Sequence, residues 1–250
     1  MANRPAGITL IAAALFFLGS IASADMTPHL LSRIEELSLG IRSYQANYDL
    51  TLRIDGKELQ IKGALLYKWP HEMRNEMSLD AAQGPAQVIY WKDGIVWQYF
   101  PQEKVAFRQQ EAKLREEFPD LFASQDLLNL QNPFEIVETK SVRFLKEEGE
   151  AEEAVYLFEG IPKKAIRSQA KLSPALCQFR ISSSDGLLRG FSMYDDAGQE
   201  IYRQHFWGVQ VNLEVLDEEL EFRLPDNVQI IEVTQQTKKH LEELKQETSS

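Results

Sequence analysis

Cysteine is almost absent. Cys177 is the only one in 250 residues, so no internal disulfide can form, and its place in an alternating run with Phe179 and Ile181 marks it as a buried structural thiol rather than a nucleophile. Histidine is nearly as scarce: His29, His71, His205 and His240 stand far apart, and none keeps metal-ligand spacing with another His or Cys. No G-x-S-x-G elbow, P-loop or G-x-G-x-x-G turn occurs. The adjacent carboxylates Asp195-Asp196 sit at an expected hairpin tip, where Asp serves turn geometry. These absences leave no catalytic constellation, no metal site and no cofactor to expect. Basic residues are short as well, 27 Lys and Arg against 38 Asp and Glu, for a net charge of −11 and a pI near 5.0. Such a balance disfavours nucleic acid and anionic membrane surfaces as partners.

Long apolar runs are also missing, apart from one near the start. Arg4, the stretch Ile8 to Leu18 and Ala22-Ser23-Ala24 read as the three parts of a secretory signal peptide, cleaved after Ala24. A retained membrane span needs about 20 apolar residues, and this run is shorter. Removing residues 1–24 takes away only Arg4 among the charges, leaving 26 basic and 38 acidic residues. No Cys lies near the cleavage site to carry a lipid, so a soluble exported product is expected. The domain plan is then a signal peptide over residues 1–24, one β domain over 25–233, and a charged, loosely held tail over 234–250.

What is present is alternation. From Tyr44 to Asp55, Tyr44, Ala46, Tyr48, Leu50, Leu52 and Ile54 take one side and polar residues the other, the signature of a strand with one apolar face. Thr27-Pro28 starts a helix over residues 28–42, with Leu30, Ile34, Leu37 and Ile41 as its stripe. Asp55-Gly56, Asp93-Gly94 and Asp185-Gly186 mark hairpins, and Gly63 marks a bend. Strands are expected at 72–79, 86–92, 96–100, 105–107, 134–145, 154–158, 176–181, 187–194 and 200–211. Residues 111–131 shift to helical spacing, with Leu114, Phe118, Leu121, Phe122, Leu127, Leu128 and Leu130 as the apolar set. Strands dominate and helices occur as two inserts. The fold class is mainly β with α, an antiparallel sheet closed or half closed over helices.

Several segments, in order, resemble the LolA family of periplasmic outer-membrane lipoprotein carriers. Ser43-Tyr44-Gln45-Ala46-Asn47-Tyr48 is similar to that family's first strand. Gly63-Ala64-Leu65-Leu66-Tyr67-Lys68-Trp69-Pro70 with Met73-Arg74 resembles its G-x-L-x-x-K-R-P segment, and Asp93-Gly94 with Trp97-Gln98-Tyr99 resembles its D-G-x-x-x-W-x-Y hairpin, one residue shorter. Phe206 to Asn212, and Leu216-Asp217 through Leu220, Phe222, Pro225, Val228 and Ile230, resemble its closing strands. Two positions depart: Trp69 replaces a basic residue that latches the lid in that family, and Met73 replaces an aromatic.

The resemblance implies an incomplete, strongly curved antiparallel β-barrel with a helical lid over a hydrophobic cavity. Its implied cargo is acylated lipoproteins, and its implied partners are an inner-membrane ABC-type releasing complex and an outer-membrane lipoprotein receptor. The expected unit is a periplasmic monomer without nucleic acid. The candidate cavity residues are Tyr44, Tyr48, Leu50, Leu52, Leu65, Tyr67, Met73, Met77, Trp97, Tyr99 and Phe107, with Trp69 and Arg74 as lid contacts. Methionine and aromatic side chains suit a cavity that repacks around varied chains, and each buried acyl methylene contributes about 0.8 kcal/mol. The same residues equally suit a closed core, the usual fate of such side chains. A lipid-binding envelope sensor or receptor of the same fold is the alternative to a carrier, because both need the same cavity.

Overall fold

The computed structural model describes residues 27–54, 56–70, 72–79, 84–118, 137–146, 154–162 and 174–248. In chain order these form α1 (Thr27–Leu39), β1 (Ser43–Ile54), β2 (Lys57–Lys68), β3 (Glu72–Ser78), β4 (Gln87–Lys92), β5 (Ile95–Phe100), β6 (Val105–Gln110), α2 (Glu111–Glu117), β7 (Val137–Lys146), β8 (Ala154–Pro162), β9 (Leu176–Ser182), β10 (Leu188–Tyr194), β11 (Glu200–Val211), β12 (Gln229–Glu232) and α3 (Thr234–Thr248). The expected signal peptide, and most of the helical insert expected over 111–131, lie outside the described residues.

One curved, open sheet holds twelve strands in the order β12-β6-β5-β4-β3-β2-β1-β11-β10-β9-β8-β7. It is made of two meanders, β1 to β6 and β7 to β11, joined where β1 pairs with β11. The long β1 carries the junction. Its alternation holds over twelve pairs with β2, from Ser43↔Lys68 to Ile54↔Lys57, and on its other edge from Tyr44↔Val211 to Leu52↔Tyr202. Because directly paired residues point to the same face, one apolar stripe runs from strand to strand across the junction. The stripe becomes the inner face. Residues from β8 to β11 (Phe158, Phe179, Phe191, Phe206) and from β1 to β4 (Tyr44, Tyr67, Met73, Trp91) belong to one buried cluster.

Two glycines let the inner face close. A Cβ at Gly63 would fall inside the Tyr48 ring, so β2 needs glycine where the phenol crosses it. Gly186, at φ 74° in the β9–β10 turn, lies so near α1 that a Cβ would meet the Ile34 carbonyl oxygen at 2.7 Å. There α1 rests on the sheet, with Ile34 only 1% exposed.

Two elements differ from expectation. β12 is absent from the expected strands; its four residues pair with β6 in parallel, from Gln229↔Val105 to Glu232↔Arg108. The C-terminal segment expected to be loosely held is instead the docked helix α3. Leu241 packs with Leu114 and Phe118 of α2, the Gln110 amide donates to Thr234 Oγ1 (2.8 Å), and Lys238 pairs with Glu117. A charged helix with one well-placed leucine needs only a matching pocket, and α2 supplies it.

Candidate functional site

The inner face has a sealed end and an open end. At the sealed end Ile34 and Ile41 share one buried cluster with Tyr44 and Tyr67, and Leu30 packs against it. Tyr44 is fully buried and its ring stacks on Tyr67, centroids 5.0 Å apart, while Phe179 stacks on Phe191 at 4.7 Å. α2 closes the adjoining corner, where the Arg115 guanidinium lies 5.2 Å from the Trp91 ring centre. Toward the β1–β2 hairpin this cover stops. Leu50, Leu52 and Ile61 are half-buried, and Ile54 and Leu59 are 49% and 43% exposed, although all five continue the inward stripe.

Polar groups on the inner face are few. Tyr48 donates to Asn75 Oδ1 at 2.8 Å, and both are buried. Burial pushes the Tyr48 phenol up to about 12, the Asn75 hydrogen bond offsetting part of the rise. Tyr202 donates to Gln204 Oε1 at 2.9 Å, and its phenol is likewise held well above its ordinary value, first by burial and then by the nearby Tyr48. These phenols stay neutral at physiological pH. The site can therefore offer apolar contact and single uncharged hydrogen bonds, which is binding chemistry.

Of the eleven candidate cavity residues, Tyr44, Tyr48, Leu65, Tyr67 and Met73 meet in the buried inner cluster, and Leu50 and Met77 pack at its margin. Leu52 continues the same face. Phe107 shares it through the chain of pairs Leu65↔Asn75↔Ile89↔Gln98↔Phe107, and lies against Phe100 at 5.9 Å. Trp97 and Tyr99 do not join them. Trp97 pairs with Tyr90 and Tyr99 with Val88, on the outer face, where Phe222, Leu224 and Val228 cover them. The cause is the segment 213–228, which wraps this part of the outer face and makes both faces of β5 apolar. Inner residues that sequence reasoning passed over include Trp91, Phe158, Phe179 and Phe206; for Phe179 and Phe206 the available signal was alternation within β9 and β11.

The two lid contacts also move. Arg74 points outward, since Met73 beside it points in. It pairs with Glu76 at 2.6 Å and donates to the Glu219 carbonyl at 3.3 Å, so it holds the 213–228 segment rather than the lid. Trp69 is 53% exposed, and the Arg42 guanidinium lies over its ring at 5.0 Å. Arg42 donates to the Leu39 carbonyl at the C-terminus of α1 (3.3 Å), so a basic group meets this helix from the residue before β1.

The outer face carries two clefts. One, of about 420 Å³, opens over Gly190 between Arg180, Arg203, His205 and Asp49. The other, of about 360 Å³, lies between Ala64, Arg74, Glu76 and Glu219. His205 is exposed on the outer face. Among the described residues no three His, Cys, Asp or Glu side chains gather as a metal-binding group, and no helix is long and apolar enough to cross a membrane.

No protein-family model and no curated protein matches the sequence. Solved structures do resemble the fold. An uncharacterized conserved protein of Thermus thermophilus superposes with a TM-score of 0.53 at 11% identity, over 82% of this chain and 98% of that one. The likeness is one of fold. Weaker likenesses include the lipoprotein LppX of Mycobacterium tuberculosis, at TM-score 0.46 and 13% identity over 76% of this chain and 98% of that one. A LolA superfamily protein of Nitrosomonas europaea reaches 0.35 at 12% identity, over 78% and 97%.

Proposed function

We propose that this is an exported lipid-binding protein of the LolA type, which shelters the acyl chains of lipoproteins against its inner face and carries them across the periplasm from the inner to the outer membrane. Loading from an inner-membrane ABC-type complex and delivery to an outer-membrane receptor complete that reading. The observation that supports it is the uneven cover of the inner face. Leu50, Leu52, Ile54, Leu59 and Ile61 continue an apolar stripe beyond the reach of α1 and stay partly exposed, where a closed core would have buried them. The segments Ser43–Tyr48 and Gly63–Arg74 that resemble the family lie on the strands forming this face.

Leu50→Glu and Leu52→Glu test it. Each puts a charge on the inward stripe at a half-buried site, so the fold should survive and binding of a triacylated lipopeptide should fall at least about tenfold. Normal binding by both variants would place the lipid elsewhere. Mass spectrometry of what co-purifies from the periplasm should return acylated species with the wild type and lose them with either variant.

A further inference from the structure

The inner face holds a polar group that the closed protein does not use. Tyr44 is fully buried, and its hydroxyl has no hydrogen-bond partner. Three other inner tyrosines are satisfied: Tyr48 by Asn75, Tyr67 by the Pro70 carbonyl at 3.1 Å, and Tyr202 by Gln204. A buried donor left unpaired opposes the state that buries it. Phenylalanine would fill the same space, keep the stack on Tyr67 and carry no such cost. The hydroxyl therefore has no function while α1 covers the ring, and its use belongs to a state in which the inner face is occupied.

We propose that the Tyr44 hydroxyl is the polar anchor of the acyl-chain site, donating its hydrogen bond to the carbonyl of an acyl ester. The inference rests on the lipid-binding reading above and adds to it the group that such a ligand must meet. Every ester-linked acyl chain begins at a carbonyl, and a carbonyl drawn among apolar side chains needs a donor. Tyr44 shares the buried cluster at the sealed end of the stripe with Ile34 of α1, so chains that displace α1 can reach this hydroxyl with their carbonyls. Burial holds the phenol well above its ordinary titration range, with the neighbouring Tyr67 adding to the rise, so it remains a neutral donor. Ligand entry then satisfies the idle hydroxyl and the buried carbonyl together, which favours the loaded state over the empty one.

The test compares two soluble probes of equal chain length, dioctanoylglycerol and its dioctyl ether counterpart, by calorimetry on the full exported chain. The wild type should bind the ester about tenfold more tightly than the ether. Tyr44→Phe should bind both with the affinity of the ether, and its empty form should melt about 2–4 °C higher. Tyr90→Phe, which removes a hydroxyl from the outer face, should keep the ester preference. Equal affinities in the wild type, a preference that persists in Tyr44→Phe, or a lower melting point for Tyr44→Phe would each overturn the anchor while leaving lipid binding in place. If neither probe binds the wild type, the lipid-binding reading falls and the anchor with it.

Discussion

Two segments cover the two faces of the same sheet, and they are held in different ways. On the outer face, residues 213–228 are fastened by apolar burial and by polar ties together. Leu220 is fully buried, and Phe222 meets Tyr90 and Tyr99 at 5.8 and 5.7 Å. Ser43 Oγ donates to the Leu213 carbonyl (2.6 Å), Lys68 to the Val215 carbonyl (3.3 Å) and Asp217 (2.6 Å), and Arg74 to the Glu219 carbonyl. β12 then knits the end of the segment into the sheet. On the inner face α1 rests on the sheet through Leu30 and Ile34, and Arg42 caps it at its C-terminal end. Apolar packing is non-directional, so an acyl chain can take the place of a helix side chain. A hydrogen bond to a fixed carbonyl has no such substitute. The outer cover is built to stay and the inner one is suited to exchange.

The contrast is sharpest for two equally buried side chains. Leu220→Ala should destabilise the whole protein by about 2–5 kcal/mol, read from the urea midpoint, because the strap and the strands beneath it unfold together. Ile34→Ala removes a side chain as well buried, yet its loss should appear mainly as faster hydrogen exchange in residues 27–39, with a smaller change in the midpoint. Equal global losses from the two substitutions would erase the distinction between the covers.

Cargo provides the next comparison. Adding a triacylated lipopeptide should alter hydrogen exchange in α1 and leave residues 213–228 as they were. Changes confined to the strap would mean that the outer face is the one that opens.

The smallest effect concerns pH. The Lys68 ammonium donates to Asp217 and holds its carboxyl below the usual carboxylate range. The folded state therefore prefers the ionised form. The contribution is fully present above the ordinary aspartate value and is lost as pH falls through the lowered one. Asp217→Asn should narrow the gap to the wild type on acidification, and the gap should also shrink with added salt, since Asp217 is exposed. A gap that widens on acidification would mean that Lys68 and Asp217 do not pair in solution.

Much of the fold was legible in local pattern. The face of β1 followed from period-two alternation, and the Asp93-Gly94 and Asp185-Gly186 turns stood where the hairpins are. β5 was less legible. Ile95-Val96-Trp97-Gln98-Tyr99-Phe100 is apolar on both sides, so alternation does not say whether Trp97 or Val96 looks inward. The answer lies more than a hundred residues later, in the segment that makes the outer side of β5 a buried face too. Arg74 was misplaced for a related reason: a basic residue beside an inward methionine has to point outward, and the carbonyls it meets there come from that same distant segment. Trp69 could not reveal Arg42 above its ring, because the two lie at strand ends joined only by β1–β2 pairing.

By itself the sequence determined most of the strands and turns, the apolar stripe and the amphipathic start of α1, because each rests on side-chain spacing within a few residues. Only the tertiary structure decided which side of the sheet is concave, which aromatics share it, how β12 and α3 are held, and that the Tyr44 hydroxyl is buried without a partner. Those depend on contacts between segments far apart in the chain. Burial and hydrogen-bond satisfaction are properties of the completed surroundings, and no local spacing encodes them.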